Sequence, residues 1–266
     1  MTSSVEVIVM TRTSKGKIMS NKSVRMIWVV VVFVFATVMV TGLLAGLQQN
    51  IKLDFEQIVL PQLAPAIGFL LVFLFFKSYR LPINFEVNQV VLLRSILGLL
   101  GPILLLGLAF VIGKGVGLKV SMTEDLGSLL SFVIIGILIG ALGEEIGWRG
   151  FLQPTLEKKF SVLLSSVIVG LIWGLWHIGH YKNGALFMIG FLLFSISASI
   201  ILAWMLRDTD FNIIIATLFH LSINLGFYVF FKNSLTDAKL MLINGGVWLV
   251  SAVILVALTS KDLVKM

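Results

Sequence analysis

The stretch GILIGALGEEIGWRGFL, residues 136–152, places two adjacent carboxylates and an arginine at the end of a long apolar run. Its glycines recur every three or four residues, which puts them on one narrow stripe of an α-helix. Such a stripe is typical of membrane helices that approach a neighbour closely. Ionisable side chains at this depth are energetically costly and mark candidate functional sites. The stretch therefore predicts a closely packed transmembrane helix that carries a site.

The composition extends the membrane prediction to most of the 266 residues, because 58% are hydrophobic and only 12% are charged. A transmembrane helix needs ~20 apolar residues, and the alternating pattern of a membrane β-barrel is absent. We predict about eight transmembrane segments, near residues 25–48, 56–77, 89–113, 128–153, 160–181, 184–206, 211–231 and 240–260. The expected fold is all-α: a polytopic membrane helical bundle forming one domain over residues 25–266, preceded by a basic tail over residues 1–24.

The net charge of +7 follows membrane topology and does not indicate a nucleic-acid partner. Fourteen of the 20 lysines and arginines fall in the N-terminal tail, the even-numbered connections and the C-terminus. By the positive-inside rule these parts, and both termini, are expected in the cytoplasm. The lipid bilayer is the expected surrounding, with a secondary attraction to anionic lipid. The chain has no cysteine, which excludes disulfides, thiol nucleophiles and cysteine metal sites.

The charged residues of the fourth segment divide into two roles. Glu145 and Arg149 are four residues apart on a helix, so they can form an ion pair. Glu144 lies at the edge of the glycine stripe and is left free to act. The alternative is that both carboxylates cap a helix near the membrane interface.

Two later segments carry further polar groups. In SSVIVGLIWGLWHIGH, residues 165–180, His177 shares a face with small residues and looks toward another helix, whereas His180 is expected near the interface. In FNIIIATLFHLSINLGF, residues 211–227, Thr217, His220 and Asn224 lie on one side. The alternative for these residues is packing and interhelical hydrogen bonding.

Taken together, the three segments contain the groups of a water-activating site. A glutamate can act as the base, and either the histidines and the asparagine or a bound metal can hold the water and the oxyanion. Neither G-x-S-x-G nor H-E-x-x-H occurs, which disfavours serine and zincin chemistry. Glu144 and His177 can meet across antiparallel helices only if the fourth helix continues past Arg149 toward Glu157, bent near Pro154.

These residues resemble the motifs of the CPBP family of intramembrane proteases, which includes CAAX-processing type II endopeptidases and bacteriocin-immunity and processing proteins. The family's EExxxR motif matches Glu144, Glu145 and Arg149. Its FxxxH motif corresponds to Trp173 to His177, with Trp in place of Phe, and its HxxxN motif matches His220 and Asn224. The resemblance covers roughly residues 90–260, the expected active-site core.

The resemblance implies that Glu144 activates the attacking water and that His177 assists it as base partner or metal ligand. It implies that His220 and Asn224 stabilise the oxyanion or hold the water, and that the pair of Glu145 and Arg149 is structural. A divalent metal such as zinc, held by Glu144, His177 and His220, is one possibility, and a water held without metal is the other.

The expected function is an intramembrane endopeptidase of metallo- or glutamic type, acting on a membrane-associated peptide or protein. Its expected place is the plasma membrane of a bacterium, in peptide maturation or bacteriocin self-immunity. Two other classes stay open: a non-enzymatic immunity protein that acts by binding, and a proton-coupled transporter with a Glu/His pair.

Overall fold

The computed structural model describes residues 3–53, 58–79, 81–124 and 132–263. In these ranges the regular structure is helical and no strand occurs, which confirms the all-α prediction. The helices are α1 (Ser3–Asn50), α2 (Ala64–Phe75), α3 (Gln89–Gly115), α4 (Phe132–Gly147), α5 (Gln153–Glu157), α6 (Val162–Trp176), α7 (Ala185–Leu206), α8 (Ile213–Phe231) and α9 (Ala238–Leu263). Helix α1 takes in most of the predicted basic tail.

Five helical stretches of the described chain are long and apolar enough to cross a bilayer. They are Arg25–Asn50, Gln89–Gly115, Ala185–Leu206, Ile213–Ser234 and Ala238–Thr259. Leu60–Phe75 and Val162–Trp176 are apolar but shorter. A multi-pass membrane protein is therefore supported, while the number of eight crossings and the cytoplasmic termini stay predictions.

Gln48, near the end of α1, shapes the connection to α2. Its Nε2 donates to the carbonyl oxygen of Ile58 at 2.6 Å, and its Oε1 accepts from the amide of Leu60 at 2.8 Å. Because the side chain is fully buried, these bonds satisfy polar groups that lipid could not. They fix the 3₁₀ turn Leu60–Leu63 that leads into α2.

The glycine stripe of α4 receives this turn. A Cβ on Gly143 would lie 3.0 Å from the carbonyl oxygen of Gln62, and one on Gly147 would lie 2.6 Å from the carbonyl carbon of Pro65. Real Cβ contacts are longer, so glycine is what allows the backbone of the turn to lie on α4. The stripe thus does what the sequence indicated, against the start of α2.

The fourth segment continues past Arg149, as a shared site requires. Helix α4 passes into a π-helical turn, Trp148–Leu152, and then into α5, which ends at Glu157. The irregular turn lies just before Pro154, which has no N–H to donate to an α-helical bond. After a short turn, Ser161 caps α6 by accepting from the amide of Leu164 at 3.3 Å, and Trp173 of α6 reaches Glu144 of α4.

The fifth segment differs from its prediction, because α6 ends at Trp176 and His177 terminates it with φ −73° and ψ 60°. A 3₁₀ turn, Ile178–Asn183, follows in place of further α-helix. Helix α6 lies against α7 through Gly170, where a Cβ would be 2.6 Å from the Cα of Ile196. Helix α8 contacts α4, so α4, α6 and α8 surround one buried point.

Candidate active site

A buried ion-pair cluster lies where α4 and α8 meet. Arg149 donates through Nη1 to Oε1 of Glu145 at 3.0 Å, and both side chains are at most 2% exposed. His220 Nδ1 lies 2.7 Å from the same carboxylate oxygen. Since a carboxylate only accepts, Nδ1 carries the proton, and Glu145 fixes the orientation of His220 as well as pairing with Arg149.

Glu144 is held by a different set of donors. Its Oε1 accepts from Nε2 of Gln62 at 2.9 Å, and its Oε2 accepts from the indole N–H of Trp173 at 2.8 Å. The indole nitrogen of Trp148 lies 3.4 Å from Oε2 of Glu144, and Nε2 of His220 lies 3.9 Å from Oε1. The carboxylate is completely buried, and hydrogen bonds of this kind are what allow a carboxylate to persist there.

The charges of this cluster balance when His220 is protonated. Glu144 and Glu145 supply two negative charges, and Arg149 supplies one positive charge. Arg149 also stands 5.3 Å from the ring centroid of Trp173, a cation–π distance. An imidazolium at His220 completes the compensation that buried ions need and makes both of its ring nitrogens donors.

His177 lines a cavity of about 180 Å³ beside this cluster. Its Nδ1 lies 2.8 Å from the carbonyl oxygen of Trp173. A carbonyl only accepts, so Nδ1 is protonated, and in the neutral ring Nε2 keeps its lone pair. At about 30 Å³ per water the cavity holds roughly six waters. Its walls are Gln62, Trp173, His177, His180, Phe191, Phe194, His220, Ile223, Asn224, Phe227, Leu235 and Met241.

The predicted residues are therefore brought together in two layers. His177, His220 and Asn224 line the cavity itself. Glu144 lies directly behind Gln62 and Trp173, which form part of the wall and bond to its oxygens. Glu145 and Arg149 lie deeper, behind His220.

Three features of the site were not predicted. Gln62 bonds to Glu144. The sequence signal that could have identified it is a single amide side chain inside an apolar segment, because a polar group is energetically costly in lipid. His180, expected near the interface, lies in the turn after α6 and also lines the cavity, where it stacks on His177 with ring centroids 5.6 Å apart. Trp173 gives Glu144 an indole donor that the family's phenylalanine cannot provide.

Each residue named for a metal already has a hydrogen-bond partner. Glu144 Oε1 accepts from Gln62, His220 Nδ1 bonds to Glu145, and His177 Nδ1 bonds to the carbonyl of Trp173, so Nε2 of each histidine is the nitrogen left for a metal. No group of three His, Asp or Glu side chains in the described ranges is arranged to hold a metal ion. The hydrogen-bonded arrangement is that of a carboxylate and imidazoles beside a cavity with room for several waters.

Fold and site together define a polytopic helical membrane protein with a buried carboxylate–histidine cluster beside a cavity. The family model described as Type II CAAX prenyl endopeptidase Rce1-like matches residues 126–226, which include all six motif residues. This match and the relatives below confirm the resemblance to the CPBP family that the three motifs predicted.

The relatives are curated proteins named Lysostaphin resistance protein A. Those of Staphylococcus aureus strains Newman, USA300 and COL are each 27% identical to this chain over 234 residues. The match covers 82% of this chain and 54% of each relative. The chain thus spans about half the length of the curated relatives it matches.

Proposed function

We propose that this protein is an intramembrane endopeptidase that hydrolyses a membrane-associated peptide or protein with a water activated by Glu144 and His177. The observation that carries the proposal is the position of a fully buried, hydrogen-bonded carboxylate directly behind a cavity lined by His177, His220 and Asn224. The matching family is a protease family, which supports the same reaction class.

The first step is attack by water. Oε1 of Glu144 lies 3.9 Å from Nε2 of His220, which lines the cavity. Because each carboxylate oxygen has two lone pairs, Oε1 can accept from Gln62 and from a water that enters beside His220. The water oxygen bonds to the scissile carbonyl carbon while its proton passes to Glu144. His177, whose Nε2 has a free lone pair in the neutral ring, holds the second hydrogen of the water.

The second step is collapse of the tetrahedral intermediate. Its oxyanion is stabilised by Nε2–H of a protonated His220 and by the side-chain amide of Asn224. Glu145 keeps His220 in this donor orientation through the 2.7 Å bond. The C–N bond then breaks, and Glu144 returns the proton to the leaving amine, so the elements of one water are added.

The setting we propose is the plasma membrane of a bacterium, with both termini in the cytoplasm, in peptide maturation or self-immunity. The five long apolar helices and the distribution of basic residues support the membrane placement. The relatives carry a resistance name, which is consistent with the immunity setting.

The test compares membrane peptides by mass spectrometry in cells that express wild type, Glu144→Gln or the matched control Glu157→Gln. The glutamine keeps the volume of Glu144 but removes the base, so cleavage should fall by ~10²–10⁴-fold. Glu157 lies at the end of α5, away from the cavity walls, so its variant should cleave normally. Near-normal cleavage by well-expressed Glu144→Gln would exclude the assignment.

The same variants separate the two other classes. Immunity by binding alone should survive Glu144→Gln. A proton-coupled transporter should lose function in this variant, yet wild type should then generate no new peptide termini.

A further inference from the structure

We propose that the candidate active-site cavity opens at the non-cytoplasmic face of the membrane. Its substrate is then a polypeptide segment that reaches the protein from that side, as an exported or membrane-anchored chain does. The substrate class depends on the proposed function, whereas the direction of the opening is a property of the fold and is tested independently.

The cavity lies toward one end of the bundle. His177 ends α6, His180 is in the turn that follows, and Leu235 is in the connection between α8 and α9. Phe191 lies in the second turn of α7 and Met241 in the first turn of α9, and these helices start from those same connections. We call this the mouth end, and Leu235, which is 43% exposed, marks where the cavity reaches the surface.

The opposite end consists of the connections between α5 and α6 and between α7 and α8. Helix α6 joins the two ends and has 15 residues, so at 1.5 Å per residue they are about 22 Å apart. Lys158, Lys159 and Arg207 lie in these opposite connections. Labels attached at the two ends therefore report different sides of the protein.

The distribution of basic residues assigns a side to each end. Thirteen of the 20 lysines and arginines lie in the tail, near the C-terminus, or in connections and helix ends on the side of Lys158, Lys159 and Arg207. Arg149 is buried in the ion-pair cluster and is not counted with either end. The mouth end has the other six: Lys52, Lys114, Lys119, Lys182, Lys232 and Lys239. All connections are short, the condition under which excess basic charge places an end in the cytoplasm. The mouth end is then outside.

The walls of the cavity indicate what enters it. Phe191, Phe194 and Phe227 supply aromatic surface, and His177, His220 and Asn224 supply the polar groups. Space for roughly six waters accommodates the scissile peptide and an adjoining side chain, and the rest of the substrate must lie beyond the mouth. An extended segment with an apolar residue beside the cleaved bond fits this shape.

The absence of cysteine from the natural sequence makes single-cysteine labelling a direct test. Leu235→Cys and Lys182→Cys report the mouth end, and Lys159→Cys is the control at the opposite end; Lys182 and Lys159 are exposed. Intact bacterial cells are treated with a membrane-impermeant maleimide, and permeabilised cells are treated in parallel.

We expect Leu235→Cys and Lys182→Cys to react in intact cells and Lys159→Cys to react only after permeabilisation. The reverse pattern would show a cavity that opens to the cytoplasm and would overturn the proposal. Reaction of Leu235→Cys only after permeabilisation, whatever Lys159→Cys does, would also overturn it, because an outward mouth must be reachable.

A second measurement connects the opening to the substrate. A bulky maleimide on Leu235→Cys in intact cells should lower peptide cleavage at least tenfold relative to the unlabelled variant, while the same reagent should leave Lys159→Cys cells unchanged. Outward labelling with no effect on cleavage would reject the mouth as the substrate's route. Outward labelling in a protein that cleaves nothing would reject the proposed function and leave the orientation standing.

Discussion

Arg149→Ala tests whether the deep ion pair supports the fold or takes part in the reaction. Arg149 and Glu145 are 2% and 1% exposed, and their 3.0 Å bond has almost no solvent to replace it. The substitution leaves the carboxylates of Glu144 and Glu145 buried with His220 as their remaining cation. It also removes the guanidinium from the face of Trp173.

The expected loss of stability is large. Removing one member of a buried pair costs about 3–5 kcal/mol, because the other charge stays buried without compensation. Near the unfolding midpoint, 1 kcal/mol shifts Tm by roughly 2–4 °C in chains of this size. We therefore expect Tm to fall by about 6–20 °C and the amount of protein in membranes to fall with it.

The assay is thermal unfolding of the detergent-solubilised protein, together with its abundance in membrane fractions. Lys159→Ala removes an exposed positive charge close in sequence and should leave Tm unchanged. Glu145→Gln combined with Arg149→Ala should be more stable than Arg149→Ala alone, because the uncompensated carboxylate is gone. If Arg149→Ala has wild-type Tm and loses only cleavage, Arg149 contacts substrate and the structural role is wrong.

Two further substitutions test the contacts of α4 with the start of α2 and with the turn before it. Gly147→Ala places a Cβ about 2.6 Å from the backbone of Pro65, so we expect a loss of about 1–3 kcal/mol in thermal unfolding. Gly101→Ala, where a Cβ meets nothing within 4 Å, should be neutral or stabilising, and equal effects would contradict the close approach. Gln62→Leu removes the donor to Glu144, a hydrogen bond worth about 1.5–3 kcal/mol, so cleavage per molecule should fall roughly 10–150-fold. Wild-type cleavage by Gln62→Leu would show that the amide does not position the carboxylate.

Much of the fold could be predicted because helix formation in a membrane follows from local composition. Runs of apolar residues predicted the helical segments, and the spacing of Gly140, Gly143 and Gly147 predicted the helix face that packs closely against a neighbour. The ends of the helices could be predicted less well from the sequence. Helix α6 stops at Trp176 although the apolar pattern continues, because His177 turns the chain into a 3₁₀ segment.

The candidate residues could be named from the sequence, but their partners could not. Polar groups in apolar segments stand out one by one, so Glu144, His177, His220 and Asn224 were visible. Gln62 lies 82 residues from Glu144 in the chain, and the Glu145–His220 bond joins residues 75 apart. No local pattern links residues so far apart, since only the packing of helices selects which of them meet.

The sequence by itself determined the membrane class, the helical architecture, the motif residues and the pairing of Glu145 with Arg149, because each depends on hydropathy or on spacing within one helix. The tertiary structure decided that Gln62 and Trp173 hold Glu144, that Glu145 orients His220, and that residues of the α6–α7 and α8–α9 connections line the cavity. The physical reason is distance along the chain: donors and cavity walls come from separate helices, and their meeting depends on close contacts that glycines permit.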